Sequence, residues 1–289
     1  MPNPISVRSI TARLLSLSLL AGAAFASPVP ISFTNADANQ AKGPATPALT
    51  GIAHIALRVR DLNQSVAFYQ SMGFEKAFDR SRDGQAYEVF IKINDRQFIE
   101  LYSTSATNQA IGFLHVCFES DDLQSLRDSY VVRGLAPTPL SKAGAGNLLF
   151  TMKGPETGTG PQNMEYTQYQ AGSLHTNDLG LHLGPHRVAD GIVSVAIAIE
   201  NVPAAESFYE TKAQFVHLKG DEWAIPGQSV QRIRLVDARD QKSAATFALH
   251  ATSQKSAKKT LKAAAISAKH SRAGLTITDP DGNRITLAP

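Results

Sequence analysis

The chain repeats one short pattern, and this repetition restricts the fold more than any other feature of the sequence. The segment GIAHIALRVRDL begins at Gly51, and GFLHVCFESDDL begins at Gly112. A third copy, GIVSVAIAIENV, begins at Gly191. Repeats of this kind fold as supersecondary units that bury their apolar faces against their neighbours. The sequence therefore predicts a fold assembled from several copies of one module.

The residue pattern of each copy predicts a βαβββ module. In the first copy an apolar strand runs from Ile52 to Val59. Asp61 is a suitable N-cap for the helix that follows, which ends near Gly73. Three more strands complete this copy, over residues 74–79, 87–93 and 97–102.

Later copies follow the same order with less regularity. The second copy has a predicted helix over residues 122–133 and a last strand over residues 163–169. In the third copy Asn201 stands at the N-cap position. The fourth copy is eroded, and we expect from it a helix around residues 258–269 and a hairpin over residues 274–287. The predicted fold class is α+β, with paired βαβββ modules forming curved mixed sheets in two tandem domains.

Four side chains stand at matching places in the first two copies: His54, Glu100, His115 and Glu165. Side chains on a strand alternate between the two faces of a sheet. The neighbours of all four are apolar and should face the helices, so the four should point to the helix-free face. Two imidazoles and two carboxylates suit Zn, Ni, Mn, Co or Fe(II). We therefore predict a site for one divalent metal ion.

The same alternation places three aromatic side chains on the metal side of their strands: Tyr102, Phe113 and Tyr169. They would either bind the substrate or fill the wall of the cavity.

Three histidines lie between the second and third copies, at positions 175, 182 and 186. A plain linker is the favoured interpretation of that segment, and a lid near the cavity is the alternative.

The first residues have the pattern of a secretory signal. Arg8 and Arg13 precede an apolar run that ends at Phe25, and Ala26 completes a small-x-small cleavage pattern. We therefore expect export to the periplasm or the cell exterior; an uncleaved anchor is the alternative.

The predicted divisions of the chain are a signal peptide (1–26), a flexible tether (27–49), a metal-binding domain (50–170), a linker (171–190) and a degenerate second domain (191–289).

Charge and cysteine content exclude several classes of function. The formal net charge is +3, and removal of the two arginines in the signal lowers it further. A nearly neutral chain gives no reason to expect nucleic acid as a partner. We expect no membrane span after cleavage of the signal.

Cys117 is the one cysteine, so no internal disulfide forms. We expect Cys117 to be a small core residue.

Four stretches resemble the vicinal oxygen chelate superfamily: HIALRVRDLNQSVAFYQSMGF, FIELY, GFLHVCFESDDL and NMEYTQY. This family includes glyoxalase I, methylmalonyl-CoA epimerase, fosfomycin-resistance proteins and extradiol dioxygenases. The resemblance is good over residues 51–170 and weaker over residues 191–289. It implies that the first and fourth strands of each module supply the metal ligands. The order His, Glu, His, Glu is most similar to bacterial glyoxalase I.

The third and fourth copies depart from the family pattern. Ser194 stands at the place of His54, Leu249 or His250 stands near the place of Glu100, and Thr286 occupies a usual glutamate place. The resemblance therefore implies that the second domain binds no metal.

For the first domain, the resemblance implies metal-assisted proton transfer on a small substrate with adjacent oxygens, as in glyoxalases, isomerases and epimerases. Glu165 and Glu100 are the candidate bases, which the sequence does not separate. One alternative is a ring-cleaving Fe(II) dioxygenase that uses His54, His115 and Glu165. Another is a non-catalytic protein that binds a small ligand or confers resistance. A homodimer is possible, and the modules could pair within one chain or between two.

Overall fold

The computed structural model describes residues 47–227, 230–240 and 244–289. The predicted signal peptide and most of the predicted tether lie outside these residues, so export stays a prediction. Across the described ranges, no helix has the length and apolar character needed to cross a membrane. The sixteen strands in these ranges form two sheets of eight strands each.

The first two modules build the first sheet. Its strands are β1 (Gly51–Val59), β2 (Glu75–Arg82), β3 (Gln85–Asn94), β4 (Gln97–Ser103), β5 (Gly112–Glu119), β6 (Ser141–Lys142), β7 (Leu148–Thr157) and β8 (Gly160–Gln168). Helix α1 (Leu62–Ser71) belongs to the first module and α2 (Leu123–Val132) to the second. The strand order is β2-β3-β4-β1-β5-β8-β7-β6. Because β1 and β5 are adjacent at the centre, both modules belong to one continuous sheet.

The last two modules build a second sheet with the same arrangement. Its strands are β9 (Ala189–Ile199), β10 (Val216–His217), β11 (Glu222–Ala224), β12 (Arg232–Asp237), β13 (Thr246–Ala251), β14 (Lys269–Ser271), β15 (Gly274–Thr278) and β16 (Arg284–Ala288). A short helix, α3 (Leu174–Asn177), precedes this sheet. The modules of the second sheet contain α4 (Val202–Ser207), which continues into a π-helical turn (Phe208–Lys212), and α5 (Gln254–Ala263). The strand order is β10-β11-β12-β9-β13-β16-β15-β14.

The fourth module retains all of its elements, although the sequence pattern predicted only a helix and a hairpin. Strand β13 is its first strand, and α5 and three short strands follow. The sequence analysis had assigned residues of β13 to the third module. That assignment is wrong because β12, which ends at Asp237, already completes the third module beside β9.

The N-caps show how the repeat encodes its helices. Asp61, Asp122 and Asn201 each precede a helix, and each side chain accepts a hydrogen bond from the backbone N–H three residues further on. This contact satisfies one of the N–H groups that a helix N-terminus leaves without an intrahelical partner. The predicted caps Asp61 and Asn201 are therefore confirmed, and Asp122, predicted as the first helical residue, is a third cap.

The main core lies on the helix-covered face of the strands. Ile55, Leu57, Ile99 and Leu101 are fully buried in it. A second, smaller cluster lies on the other face of the first sheet. It consists of Phe90, Phe98 and Ala145, with Ala77, Phe78, Tyr169 and Leu174 packed against them. Because apolar side chains occupy part of that face, only the remaining part is open to polar groups.

The segment between the two sheets packs closely against the first module. Lys92 is fully buried, and its Nζ lies 2.8 Å from an Asp178 carboxylate oxygen. A Cβ placed on Gly184, whose φ is +55°, would lie 2.1 Å from the carbonyl oxygen of Gly73. That position therefore requires glycine, both for its backbone angle and for the close approach. The segment is thus anchored by specific contacts, unlike the plain linker that we favoured from the sequence.

Candidate metal centre

Strand register brings the four predicted ligands to one place on the first sheet. On β1, Ala56 pairs with Glu100 of β4 on one side and with His115 of β5 on the other. His54 precedes Ala56 by two residues and therefore shares its face. Glu165 lies on β8, which is the next strand beyond β5. All four side chains therefore project from the central strands on the same face.

The distances between these side chains are short. His54 Nε2 lies 3.1 Å from His115 Nε2 and 3.5 Å from Glu165 Oε1. His115 Nε2 lies 3.8 Å from Glu165 Oε2. On the opposite side of the His54 ring, Nδ1 lies 3.0 Å from Glu100 Oε1. The structure thus brings together two imidazoles and two carboxylates that are up to 111 residues apart in the sequence.

The spacing of the two Nε2 atoms is that of neighbouring ligands of one divalent ion. Adjacent ligands of one ion at about 2.1 Å are separated by about 3.0 Å when they subtend a right angle. The two Nε2 atoms have this separation. His54 Nδ1 is buried without a hydrogen bond, because Glu100 is close to it but not aligned to accept one. A buried ring nitrogen that lies near a carboxylate without hydrogen-bonding it is suited to a metal.

His54 is the common member of two possible ligand groups. One group contains His54, Glu100 and His115, and the other contains His54, Cys117 and Glu165; within each, the ligand atoms lie within 4.8 Å of one another. Cys117 is fully buried, as predicted, but its thiol also faces the site. Burial raises the pKa of this thiol, and so does the nearby Glu165 carboxylate. The protonated thiol is a poor metal ligand.

Burial sets the protonation of the candidate ligands. It lowers the pKa of His115 to about 4, against the opposing effect of the Glu165 charge. Burial also lowers the pKa of His54. Both imidazoles are therefore neutral near pH 7, which is the form that binds metals. Burial raises the pKa of Glu100 to about 8, although the Tyr102 hydroxyl and the Arg80 charge oppose this rise.

Tyr102 links Glu100 to a second buried carboxyl group. Its hydroxyl lies 2.9 Å from Glu100 Oε2 and 2.8 Å from Glu88 Oε1. A phenol has one proton to donate, so one of the two contacts needs a proton from the carboxyl group. Glu88 in turn accepts a hydrogen bond from Arg80 Nη1 at 2.8 Å. The sequence analysis missed Glu88 and Arg80, although alternation along β2 and β3 places both on the face of the candidate ligands.

The expected orientation of Phe113 requires correction. Strand β5 has an irregularity at Leu114, because Ala56 pairs with His115 while the next residue, Leu57, pairs with Phe113. The extra residue turns Phe113 toward the face of Leu57, where it packs against the main core. Phe113 also lines a cavity of about 520 Å³ that does not include the candidate ligands. Simple alternation failed here because a β-bulge reverses the faces.

Tyr169 packs against the small apolar cluster on the face of the candidate ligands. Its ring stacks on His175, with centroids 4.7 Å apart, and its hydroxyl donates to the Arg96 carbonyl oxygen at 2.9 Å. His175 is buried and contacts three phenylalanine rings edge-on, those of Phe78, Phe90 and Phe98. Burial lowers the pKa of His175 to about 3. A histidine from the supposed linker thus fills the cavity wall next to Tyr169.

The open part of this face forms a cavity of about 230 Å³. Its lining residues are His115, Ala136, Thr138, Thr151, Met152, Lys153, Asn163, Met164 and Glu165. Glu165 exposes 19% of its side chain, whereas Glu100 exposes 5%. The two candidate bases therefore differ in access, since Glu165 borders the cavity and Glu100 lies buried beside Tyr102.

In the second sheet, other residues occupy the four ligand places. Arg234 pairs with Ala196 as Glu100 pairs with Ala56, so the place of Glu100 belongs to Arg234 and not to a residue of β13. By the same register, Ser194 stands at the place of His54, Thr246 at the place of His115 and Thr286 at the place of Glu165. The expected assignment of Leu249 or His250 was wrong, because both lie on the first strand of the fourth module. Within the described residues, the ligand groups occur in the first sheet.

Solved structures with this fold include both dioxygenases and a glyoxalase. A 2,3-dioxygenase from Pseudomonas sp. KL28 has a TM-score of 0.60 at 14% identity, covering 85% of this chain and 95% of its own. A Mn(II)-bound glyoxalase from Novosphingobium aromaticivorans has a TM-score of 0.62 at 17% identity, covering 82% and 81%. An extradiol ring-cleaving dioxygenase from B. fuscum has a TM-score of 0.57 at 15% identity, covering 86% and 74%. At these identities the likeness establishes the fold.

Sequence comparison finds a family similarity over part of the chain. No curated protein matches the chain. Residues 51–156 match the model of the Glyoxalase/Bleomycin resistance protein/Dioxygenase superfamily. The matched segment contains three of the four candidate ligands, His54, Glu100 and His115. Residues 51–156 therefore match a domain of this superfamily, which is the vicinal oxygen chelate superfamily, and the rest of the chain lies outside the match.

Proposed function

We propose that the protein is a metal-dependent enzyme that transfers a proton on a small substrate with two adjacent oxygens. The observation that carries this proposal is the convergence of two neutral imidazoles and two carboxylates beside a cavity. The proposed ligands are His54, Glu100, His115 and Glu165. A divalent ion held by them would act as a Lewis acid toward a substrate oxygen.

Glu165 is the proposed base, because it is the carboxylate that borders the cavity. It would take a proton from the carbon next to a substrate carbonyl, while the C–H electron pair moves toward the carbonyl oxygen. Return of this proton to the former carbonyl carbon, with transfer of the hydroxyl proton to the former carbonyl oxygen, would complete an isomerisation. Glu100 is buried beside Tyr102 and is better placed to hold the metal than to reach a substrate.

Metal binding is expected to release about one proton near pH 7, because Glu100 has a pKa of about 8 and must ionise to act as a ligand. Metal affinity should therefore rise roughly tenfold per pH unit from pH 6 to pH 8 and then level off. His115, with a pKa of about 4, is already neutral over this range and adds no proton. Calorimetry in buffers of different ionisation enthalpy measures the release.

The matched control for proton release is Glu100→Gln, which has no carboxyl proton to lose. It should bind metal more weakly and without proton release between pH 6 and pH 8. Equal affinity of the wild-type protein at pH 6 and pH 8 would contradict the assigned ionisation of Glu100.

The proposed reaction is tested by hydrogen exchange at carbon. The purified protein, loaded in turn with Zn, Ni, Mn, Co and Fe(II), is incubated in D₂O with α-hydroxy ketones, and deuterium incorporation is followed by NMR. We expect metal-dependent exchange that falls about 10²- to 10⁴-fold in Glu165→Gln. Oxygen uptake with catechols by the Fe(II) form, without exchange, would favour ring cleavage instead. Binding of small ligands with neither activity would indicate a non-catalytic protein.

A further inference from the structure

We propose that Lys153 recognises a carboxylate on the substrate, so that the enzyme acts on small acids that also carry two adjacent oxygens. This inference rests on the proposed function and specifies its substrate class. Lys153 lines the same cavity as His115 and Glu165. The sequence analysis gave it no role.

Strand pairing fixes the position of Lys153 relative to the candidate ligands. On β7 and β8, Thr151 pairs with Glu165, and Lys153 pairs with Asn163. Paired residues share a face, and residues two apart on one strand share it as well. Lys153 therefore stands on the metal-bearing face, about 7 Å along the strand from the partner of Glu165. A substrate bound through two oxygens beside Glu165 would extend naturally toward it.

Lys153 has a polar contact but no anionic partner. Its Nζ donates to Asn163 Oδ1 at 2.5 Å, and no carboxylate of the described residues pairs with it. Two other cations of the same sheet are paired with acids, Arg80 with Glu88 and Lys92 with Asp178, whereas Arg58 of β1 donates to Asn108 and to a backbone carbonyl. Lys153 and Asn163 are both exposed, so Asn163 holds the ammonium group at the solvent-exposed lining of the cavity without cancelling its charge.

The charge balance of the cavity favours an anionic substrate. Two ionised glutamates neutralise a divalent ion, and both imidazoles remain uncharged. Lys153 then leaves the cavity with one net positive charge. A hydrogen bond between an ammonium group and a carboxylate is stronger than one between neutral groups. An acid would therefore be preferred over a neutral analogue of the same shape.

The other walls limit the size of the acid. Ala136, Thr138 and Thr151 have small side chains, and the cavity measures about 230 Å³. This volume corresponds to roughly seven or eight water molecules. A compact acid with a few carbon atoms fits this space.

A pair of hydroxamates tests the proposal on the Mn(II)-loaded protein. Butanohydroxamic acid and succinomonohydroxamic acid offer the same two adjacent oxygens and differ in a terminal methyl or carboxylate. Displacement of water from Mn(II), followed by proton relaxation, gives a dissociation constant for each. We expect the carboxylate form to bind about tenfold more tightly, as a charge-assisted hydrogen bond implies. Lys153→Gln should abolish this preference and leave the affinity for the methyl form within about twofold.

Two further variants separate charge from structure. Lys153→Arg keeps the charge and should retain the preference for the acid. Lys142→Gln removes an exposed lysine of β6 outside this cavity, and it should change the dissociation constant of neither hydroxamate. Equal binding of the two probes by the wild-type protein, or a preference that survives Lys153→Gln, would overturn the role of Lys153. Failure to bind Mn(II) at all would instead overturn the proposed function.

Discussion

Replacing His54 with alanine is expected to remove the metal from the protein almost completely. His54 belongs to both ligand groups. Its Nδ1 lies near Glu100, and its Nε2 lies near Glu165. Loss of an outer partner of a ligand typically costs 10- to 100-fold in metal affinity, and loss of this central ligand should cost more than about 100-fold. Metal analysis after dialysis should then fall from about one ion per chain to near zero, with loss of activity.

The double variant Glu100→Ala/His115→Ala should give the same result, because it leaves one histidine and one carboxylate. The matched control is His250→Ala. His250 is exposed in the second sheet and pairs with Asp190 at 2.6 Å, outside both ligand groups. That variant should retain its metal. Equal metal content in the His54→Ala and wild-type proteins would disprove the site.

Replacing Lys92 with alanine is expected to produce the largest loss of stability among single charge removals. Lys92 is fully buried and contacts Asp178, whose side chain is 6% exposed. Removal of Lys92 leaves His182 Nδ1, at 2.5 Å, as the remaining side-chain partner of Asp178 and also removes the contact with Asp95. Breaking a buried ion pair by removing one member costs about 3–5 kcal/mol. The free energy of unfolding, measured by urea denaturation of the metal-free protein, should decrease by this amount.

Lys76→Ala provides the comparison for Lys92. Lys76 pairs with Asp79 at 2.7 Å, nearly the same distance, but 43% of its side chain is exposed. Exposed pairs contribute at most about 1 kcal/mol. A Lys92→Ala loss as small as that of Lys76→Ala would show that the segment around Asp178 contributes little to the stability of the first sheet.

Local periodicity was sufficient to predict much of the fold. Capping residues located the helices of the first and third modules, and alternation placed His54, Glu100, His115 and Glu165 on the helix-free face. These predictions succeeded because they depend on neighbours within a few residues of each position.

Features that depend on distant pairing were not predictable in the same way. No local pattern marks the irregularity at Leu114, which turns Phe113 toward the core. Arg234 was missed because its place follows from pairing with β9 and not from the repeat spacing. His175 lies in a polar, glycine-containing segment, yet it is buried by aromatic side chains from three strands and by Tyr169.

The direct pairing of β1 with β5 has a consequence for any oligomer that the protein forms. All four candidate ligands come from one uninterrupted sheet of a single polypeptide, so no neighbouring subunit is needed to supply one. Diluting an assembly into separate chains would leave the coordination sphere complete. In hybrids of wild-type and His54-substituted subunits, the number of working centres would equal the number of wild-type chains, and activity would scale linearly with their fraction.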